Sequence, residues 1–532
     1  MTKLRRQSGN VIPYVLALLL AVALSGQYVF NSYKVSNEST RLQNTSDAAA
    51  YSVATVYAQN QNYISLSNRA LVANQVTMAQ VVTMVSWSRL LDTTATTVNS
   101  IGQYIPYVNV VTRYIETTAD WINRVIERIA PPLTSVIQTY IVATSQLQEI
   151  VVASVALISQ GILEEVVSEN DPDINYSFAA IDTGRSTVAH ISSLYGQNDC
   201  RRQADRVRQG AANVNSETIA RCRQFRNVTL ESLDGFTQNR TYRFSFPGMP
   251  SSIPIPGLSA ELVPGVPIYS TLTIERAGGT TMSGDTPGTI NSTPFTTWTA
   301  IDTISLHSST RYIAMTRRGP RIRSTEHQER AKLGVAHAYV GNECSRCHHL
   351  VHEGTPYWNV NPRGSACTDP DRDRQYGGGR RSWNDGAFIL MDVFSLNCRQ
   401  LSDRYGQSIN DRNMGLTDFY NLQQEGYVEE KDRVMTYLRK DRRDVETASE
   451  AINIQSSGMR LDANDGAQND VLHGVAAAAV YFRRGNDNWM LPSARRLDGR
   501  LEFGNAYNPF WSARLTKMSN GQRTSMLLMK RL

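Results

Sequence analysis

The stretch Glu343 to His352 reads ECSRCHHLVH, and its residue types could do two kinds of chemistry. Cys344 and Cys347 followed by His348 satisfy C-x-x-C-H, in which two thiols attach a c-type haem and the histidine ligates its iron. In that reading His348 is the proximal ligand, with His352, His349 or a methionine opposite. Zinc is the second option: Cys344, Cys347 and Cys367, with Cys398 or a histidine such as His348 or His352, would supply four soft ligands. In an oxidising compartment the same thiols form disulfides instead, so the choice depends on where the chain sits.

Other catalytic signatures are thin. Ile181-Asp182-Thr183-Gly184 matches the short aspartic-protease motif, but an active dyad needs a second Asp. No second copy follows, and Arg185 stands where a small residue belongs. A turn in which Asp182 bonds its own backbone accounts for the motif. No Gly-rich phosphate loop, H-E-x-x-H or G-x-S-x-G occurs, so no catalytic residue is assigned and an enzyme is not expected.

The compartment follows from the N-terminus. Lys3, Arg5 and Arg6 lead into Val11–Phe30, an apolar run with no charge between Arg6 and Lys34. Roughly 20 residues suffice to cross a bilayer core, and positive charge before the span predicts a cytoplasmic N-terminus. A cleaved signal, with Ala23 and Ser25 near its end, would export the chain equally. The expectation is a retained single-pass inner-membrane helix, with the remainder periplasmic. Ile150 to Leu163 is shorter and interrupted by Ser154, Ser159 and Gln160, so a second span is not expected.

Export makes disulfides the expected state of the six cysteines, with neither zinc nor haem c as a resident cofactor. Cys200 and Cys222 bracket a polar, Arg-rich segment read as a helical hairpin, whose closed ends pair them. Among Cys344, Cys347, Cys367 and Cys398 the expectation bonds one of the first two to Cys367 and the other to Cys398. A formal charge of +6 is mild for 532 residues, and the basic residues are scattered, so nucleic acid is not an expected partner.

Five regions follow: a leader over 1–10, the span over 11–33, a helical stalk over 34–170, a small hairpin region over 171–235, and a mixed head over 236–532. In the stalk, Leu42, Ala49, Val56, Tyr63, Ala70 and Thr77 recur every seven residues, a small-residue seam for another helix. Gly102 and Pro106 break the helix, and Ile115, Ile122, Val125 and Ile129 mark the next face. Pro131 and Pro132 are read as a stop and a new start. Leu133, Ile137, Tyr140, Leu147, Val151, Val155, Ile158 and Ile162 then form a stripe expected to pack inside an antiparallel helix pair. Beyond it, Thr241–Phe246 and Tyr269–Glu275 alternate as strands, Gly278–Thr289 reads as a loop, and Glu326–Tyr339 as a helix. Short strands are expected near Val480 and Arg500, with an aromatic cluster at Tyr507, Phe510 and Trp511. The fold class is α+β.

Arg6, Gly9 and Asn10 before the span, then RLQNTSDAAAYSVA at Arg41–Ala54, resemble the N-terminus of the TadE/TadG-like proteins of Flp (Tad) pilus assembly. NRALVANQ (Asn68–Gln75), SWSRLL (Ser86–Leu91) and the ending NAYNPFWSARL (Asn505–Leu515) look like a TadG-related branch. Tyr14 stands where prepilin-like members carry a Glu five residues after the glycine, so the resemblance implies a TadG-like chain without prepilin processing. No Asp-x-Ser-x-Ser metal motif is present. The implied role is a minor-pseudopilin-like structural or assembly component, with other pilus-assembly proteins or pseudopilins as partners and a homo-oligomer as one form. The rival classes are a tethered c-type cytochrome, a zinc-binding envelope protein and an envelope adhesin.

Overall fold

A computed structural model describes residues 11–103, 106–177, 195–200, 202–203, 206, 215–249, 266–282, 298–326, 331–341, 408–412, 414–422, 433–441, 444–445, 471–482 and 504–521. The fold is α+β. Helix α1 (Ile12–Gly102) and α2 (Val108–Asn170) are followed by β1 (Asn175–Ser177), β2 (Tyr195–Asn198), α3 (Ser216–Glu231) and the single turn α4 (Gly235–Gln238). Then come β3 (Tyr242–Met249), β4 (Val266–Met282), β5 (Trp298–Thr316), β6 (Gly319–Glu326) and β7 (Ala331–Tyr339). The last strands are β8 (Phe419–Leu422), β9 (Arg433–Asp441), β10 (Val471–Phe482) and β11 (Trp511–Leu515). The described part divides into two units, each assembled from distant stretches: 1–66, 148–196 and 420–532 in the first, 67–147 and 197–419 in the second.

In the first unit an antiparallel sheet runs β1-β9-β10-β11. Alternation along β10 makes its two faces. Ala476, Ala478 and Val480 join Leu438 and Val434 in a core with Leu42, Ala49, Val53, Tyr57 and Ile64 of α1 and Val155, Leu163 and Val167 of α2. Val475 and Ala477 fall on the other face with Met435 and Tyr437. The alanines of β10 let α1 approach the sheet closely. At Gly474 an added Cβ would stand 2.7 Å from the Leu42 carbonyl oxygen. Gly474→Val is therefore expected to cost about 1–3 kcal/mol by forcing helix and sheet apart. Chemical unfolding of the purified chain reads this, and an unchanged midpoint would remove the close-approach argument.

Two α1 amides then do what a neighbouring strand would do. Gln43 Nε2 donates to the Val475 carbonyl at 2.9 Å, while the Val475 N–H donates back to Gln43 Oε1 at 3.3 Å. Asn62 does the same for Trp511, at 3.0 and 2.8 Å. Each pair satisfies one donor and one acceptor that a sheet covered by a helix would otherwise bury unpaired.

In the second unit β5 is long enough to pair β4 on one side over Trp298–Ile313. On its other side it pairs β7 over Thr299–Leu306 and β6 over Ser309–Thr316. The basic residues Arg317 and Arg318 form the tip of the β5–β6 hairpin, closed by Gly319 at φ 101°. Helices α1 and α2 are antiparallel here. Ser88 donates to Asn123 Oδ1 at 2.9 Å, and Thr112 donates to Asn99 Oδ1 at 2.8 Å across the turn that joins them.

Several sequence expectations change. Pro131 and Pro132 lie inside α2, which runs through them unbroken. The two prolines withhold N–H donors from the carbonyls of Glu127 and Arg128 four residues earlier; just beyond, the Pro131 carbonyl accepts the Thr134 and Ser135 hydroxyls at 2.9 and 3.1 Å. The described part of the helix expected over Glu326–Tyr339 is strand instead: Ala331–Tyr339 is β7, paired with β5. Gly278–Met282, read as part of a loop, is the end of β4. The segment from 195 begins as a strand rather than a helix.

The α1 seam is also different. Leu42 and Ala49 are buried, but Val56 and Tyr63 are half-buried and Thr77 is exposed. A straight helix drifts about 20° per heptad against a seven-residue repeat, so five repeats carry the seam off the core. The buried face instead advances through Leu42, Ser46, Ala49, Val53, Tyr57 and Ile64.

The α2 stripe is the largest correction. Only Ile137 and Val155 of it are buried; Leu133, Tyr140, Leu147 and Ile158 are exposed, and Val151 and Ile162 half-buried. The face turned inward mixes polar and aliphatic residues: Thr134, Ile137 and Ile141 in the second unit, and Gln148, Val155, Ser159, Leu163 and Val167 in the first. Hydropathy alone picked the more continuous aliphatic stripe, whereas the inward face includes polar positions that hydropathy skips.

Candidate functional site

The exposed apolar end of α1 is the first functional element. From Ile12 to Phe30 the helix carries Leu, Val and Ala on every side, and its apolar window is long enough to cross a membrane, with none of it buried. Such a segment serves as a membrane anchor or a signal sequence. α2 passes the same test of length and composition with 28% of its window buried. Its residues Val155, Leu163 and Val167 sit in the core of the first unit.

The polar core of the second unit centres on Asp302 of β5. Arg240 grips this carboxylate with both arms, Nε to Oδ1 at 2.8 Å and Nη2 to Oδ2 at 3.0 Å. Arg276 of β4 reaches Oδ1 at 3.2 Å, and the Ser86 hydroxyl of α1 donates to Oδ2 at 2.6 Å. Asp302 is fully buried and the Arg240 side chain is 1% exposed. The remaining Arg240 nitrogen, Nη1, donates to the carbonyls of Phe236 and Thr237 at 3.0 and 2.9 Å. Rings of Phe236 and Tyr242 stand 5.6 and 5.8 Å from the Arg240 and Arg276 guanidinium carbons. One carboxylate thus faces two guanidiniums, and the ring faces offset the excess positive charge. Close by, Thr83 and Thr280 share a hydrogen bond of 2.6 Å, and Trp298 donates to Gln75 at 2.7 Å. Arg89 donates to the His337 carbonyl at 2.8 Å and pairs with Glu127 at 3.0 Å. These bonds fix α1 on β4, β5 and β7 through side chains that hydropathy does not score.

Asp234, the N-cap of α4, has its carboxyl lowered to about 2. Burial works against the charge, and hydrogen bonds from Gln80, the Thr237 hydroxyl and the Thr237 N–H outweigh it. The cap orders the turn that delivers Arg240 to Asp302.

A second ionic cluster lies in the first unit. Lys440 of β9 donates to Asp171 at 2.5 Å and to Glu38 at 3.3 Å, with Lys440 and Asp171 side chains 5% and 4% exposed. Burial opposes ionisation of both groups and is outweighed by their mutual attraction. Asp171 is held below its ordinary value, helped by the Asp173 N–H and the Arg41 charge. Lys440 is raised above its own, helped by Glu38. On the opposite side of the sheet Tyr437 bonds His473 Nδ1 at 2.8 Å.

Cys200 and Cys222 form a buried disulfide with S–S 2.02 Å, tying the end of the β2 segment to α3. One turn further on, Phe225 meets Phe419 in a tilted ring contact with centroids 4.6 Å apart. Trp511 meets Phe482 edge-on at 5.5 Å, and Phe510 meets the same ring at 6.1 Å. Cys344, Cys347, His348, His352, Cys367 and Cys398 lie outside the described residues, as do Asp182 and the strand expected at Arg500. Among the described residues no three His, Cys, Asp or Glu side chains gather into a metal-ligating group. The chain matches no family model, no curated protein and no solved structure.

Proposed function

We propose that the chain is a membrane-anchored structural or assembly component of a Flp/Tad-type pilus machine, minor-pseudopilin-like in role. It is held in the inner membrane by Val11–Phe30, with its N-terminus cytoplasmic and its bulk periplasmic. Its partners are other pilus-assembly proteins or pseudopilins. The observation that carries this reading is the continuity of α1. An exposed apolar segment runs without a break into a helix whose residues from Leu42 onward form the core of a folded unit. Such a helix couples the position of the folded unit to the membrane, as an assembly component requires.

The RLQNTSDAAA run supports the same reading from its place in the fold. Leu42 and Ala49 pack in the first-unit core, and Gln43 clamps β10, so the resemblance falls on residues that build the unit. Deleting the gene in a piliated host tests the proposal: pili should be lost or sharply reduced, and the full chain should restore them. Normal piliation without the protein would remove it.

A further inference from the structure

We infer that the tip of the β5–β6 hairpin is a docking surface for an anionic lipid bilayer. No acidic residue stands between Asp302 and Glu326, whereas Arg311, Arg317, Arg318, Arg321 and Arg323 all do. Of these, Arg311, Arg317, Arg318 and Arg321 are exposed. Strand β4 reaches β5 only as far as Ile313, opposite Val266. Among the described residues, Ala314–Thr316 and Gly319–Arg321 therefore pair only with each other. The turn is ordered by its own groups: the Thr316 hydroxyl donates to the Gly319 carbonyl at 2.8 Å and accepts the Arg318 N–H at 3.3 Å.

The register adds an apolar face to this charge. Opposed residues of an antiparallel pair share a face, as do residues two apart on one strand. Ile313 stands opposite Ile322, and Met315 opposite Pro320. One face of the tip is thus built from Ile313, Met315, Pro320 and Ile322, with Arg317 and Arg318 at its end. Met315 is 83% exposed and Ile322 69%.

The two features together select the partner. Arginine binds phosphate through paired, charge-assisted hydrogen bonds and keeps its charge in any surroundings. A nucleic acid or acidic polysaccharide would engage the arginines and leave Met315 and Ile322 in water. An acidic protein would need about 800 Å² of matched surface from each partner, and two rungs of a hairpin offer far less. A bilayer needs no matching pocket. Apolar side chains enter the boundary between headgroups and acyl chains, while basic ones hold the headgroup phosphates.

The test uses the full chain held in nanodiscs by Ile12–Phe30, with an environment-sensitive fluorescent amino acid in place of Met315. Phosphatidylglycerol mixed equally with phosphatidylcholine is supplied in one arm as added vesicles and in the other within the disc. The emission should shift to the blue in at least one arm, and in neither with phosphatidylcholine alone. The same probe at Thr118, exposed on α2, should not respond. Each arginine near an anionic surface contributes about fivefold in affinity, so Arg317→Gln, Arg318→Gln and Arg321→Gln together should weaken the bound state about 100-fold. Ile322→Ser should weaken it about tenfold. A probe unshifted in both arms, or a shift that survives loss of the three arginines, would overturn the inference. Capture of an acidic peptide or polymer, with the probe unmoved by lipid, would assign the tip to that partner instead.

Discussion

Asp302→Ala should destabilise the second unit by about 3–5 kcal/mol, the range for breaking a buried ion pair by removing one partner. The substitution removes the counter-charge from both Arg240 and Arg276, and the acceptor of Ser86 on α1. Arg240 cannot shed its charge by deprotonating. The helix and two strands joined through this carboxylate should loosen together. Chemical unfolding followed by tryptophan fluorescence is a suitable readout, since Trp298 bonds Gln75 on the same helix face. Asp302→Asn, which keeps the shape and one acceptor, should lose less. A loss below about 1 kcal/mol for Asp302→Ala would show that the guanidiniums reach water, contrary to their burial.

Lys440→Met should have a comparable effect on the first unit, again about 3–5 kcal/mol, because it strands Asp171 in the interior. The pair also sets a pH response. The folded-state pKa of Asp171 lies below its ordinary 3.8, so its contribution is complete above 3.8 and fades as pH falls through the lowered value. Lys440 has a folded-state pKa above its ordinary 10.5, so its contribution is complete below 10.5 and fades as pH rises through the raised value. Stability of the wild-type unit should therefore fall below pH 3.8 and above pH 10.5. The alkaline limb should shrink in Lys440→Met to the part owed to Tyr437, whose pKa burial raises above its ordinary 10.0. An undiminished alkaline limb would assign it to other groups.

How much the sequence revealed depends on how local the signal is. The apolar span and the helix breaks near Gly102 and after Asn170 are local, and the structure has α1 end at Gly102 and α2 at Asn170. Strands β3 and β4 announce themselves by alternation at Thr241–Phe246 and Tyr269–Glu275. Strand β7 does not: Ala331–Tyr339 contains residues that favour helices, and its pairing with β5 overrides them.

The cores were the least legible. α1 is fixed to its sheets by Gln43, Ser46, Asn62, Gln75, Thr83 and Ser86, residues that score as surface. The Asp302 cluster brings together positions 86, 240, 276 and 302, and no spacing in the chain announces such a meeting. The α2 stripe was real as a pattern, and its assignment to the interior failed because the helix has two faces. The inward one mixes Thr134, Gln148 and Ser159 with Ile137, Ile141, Val155, Leu163 and Val167, and most of the predicted stripe was left outside it.

The most direct measurement counts pili on cells lacking the protein, then on the same cells carrying either the full chain or a version in which a cleavable signal peptide replaces Val11–Phe30. The full chain should restore pili. The exported but unanchored version, present at the same level, should not. Piliation that survives the deletion, or that the unanchored version restores in full, would contradict an anchored assembly component.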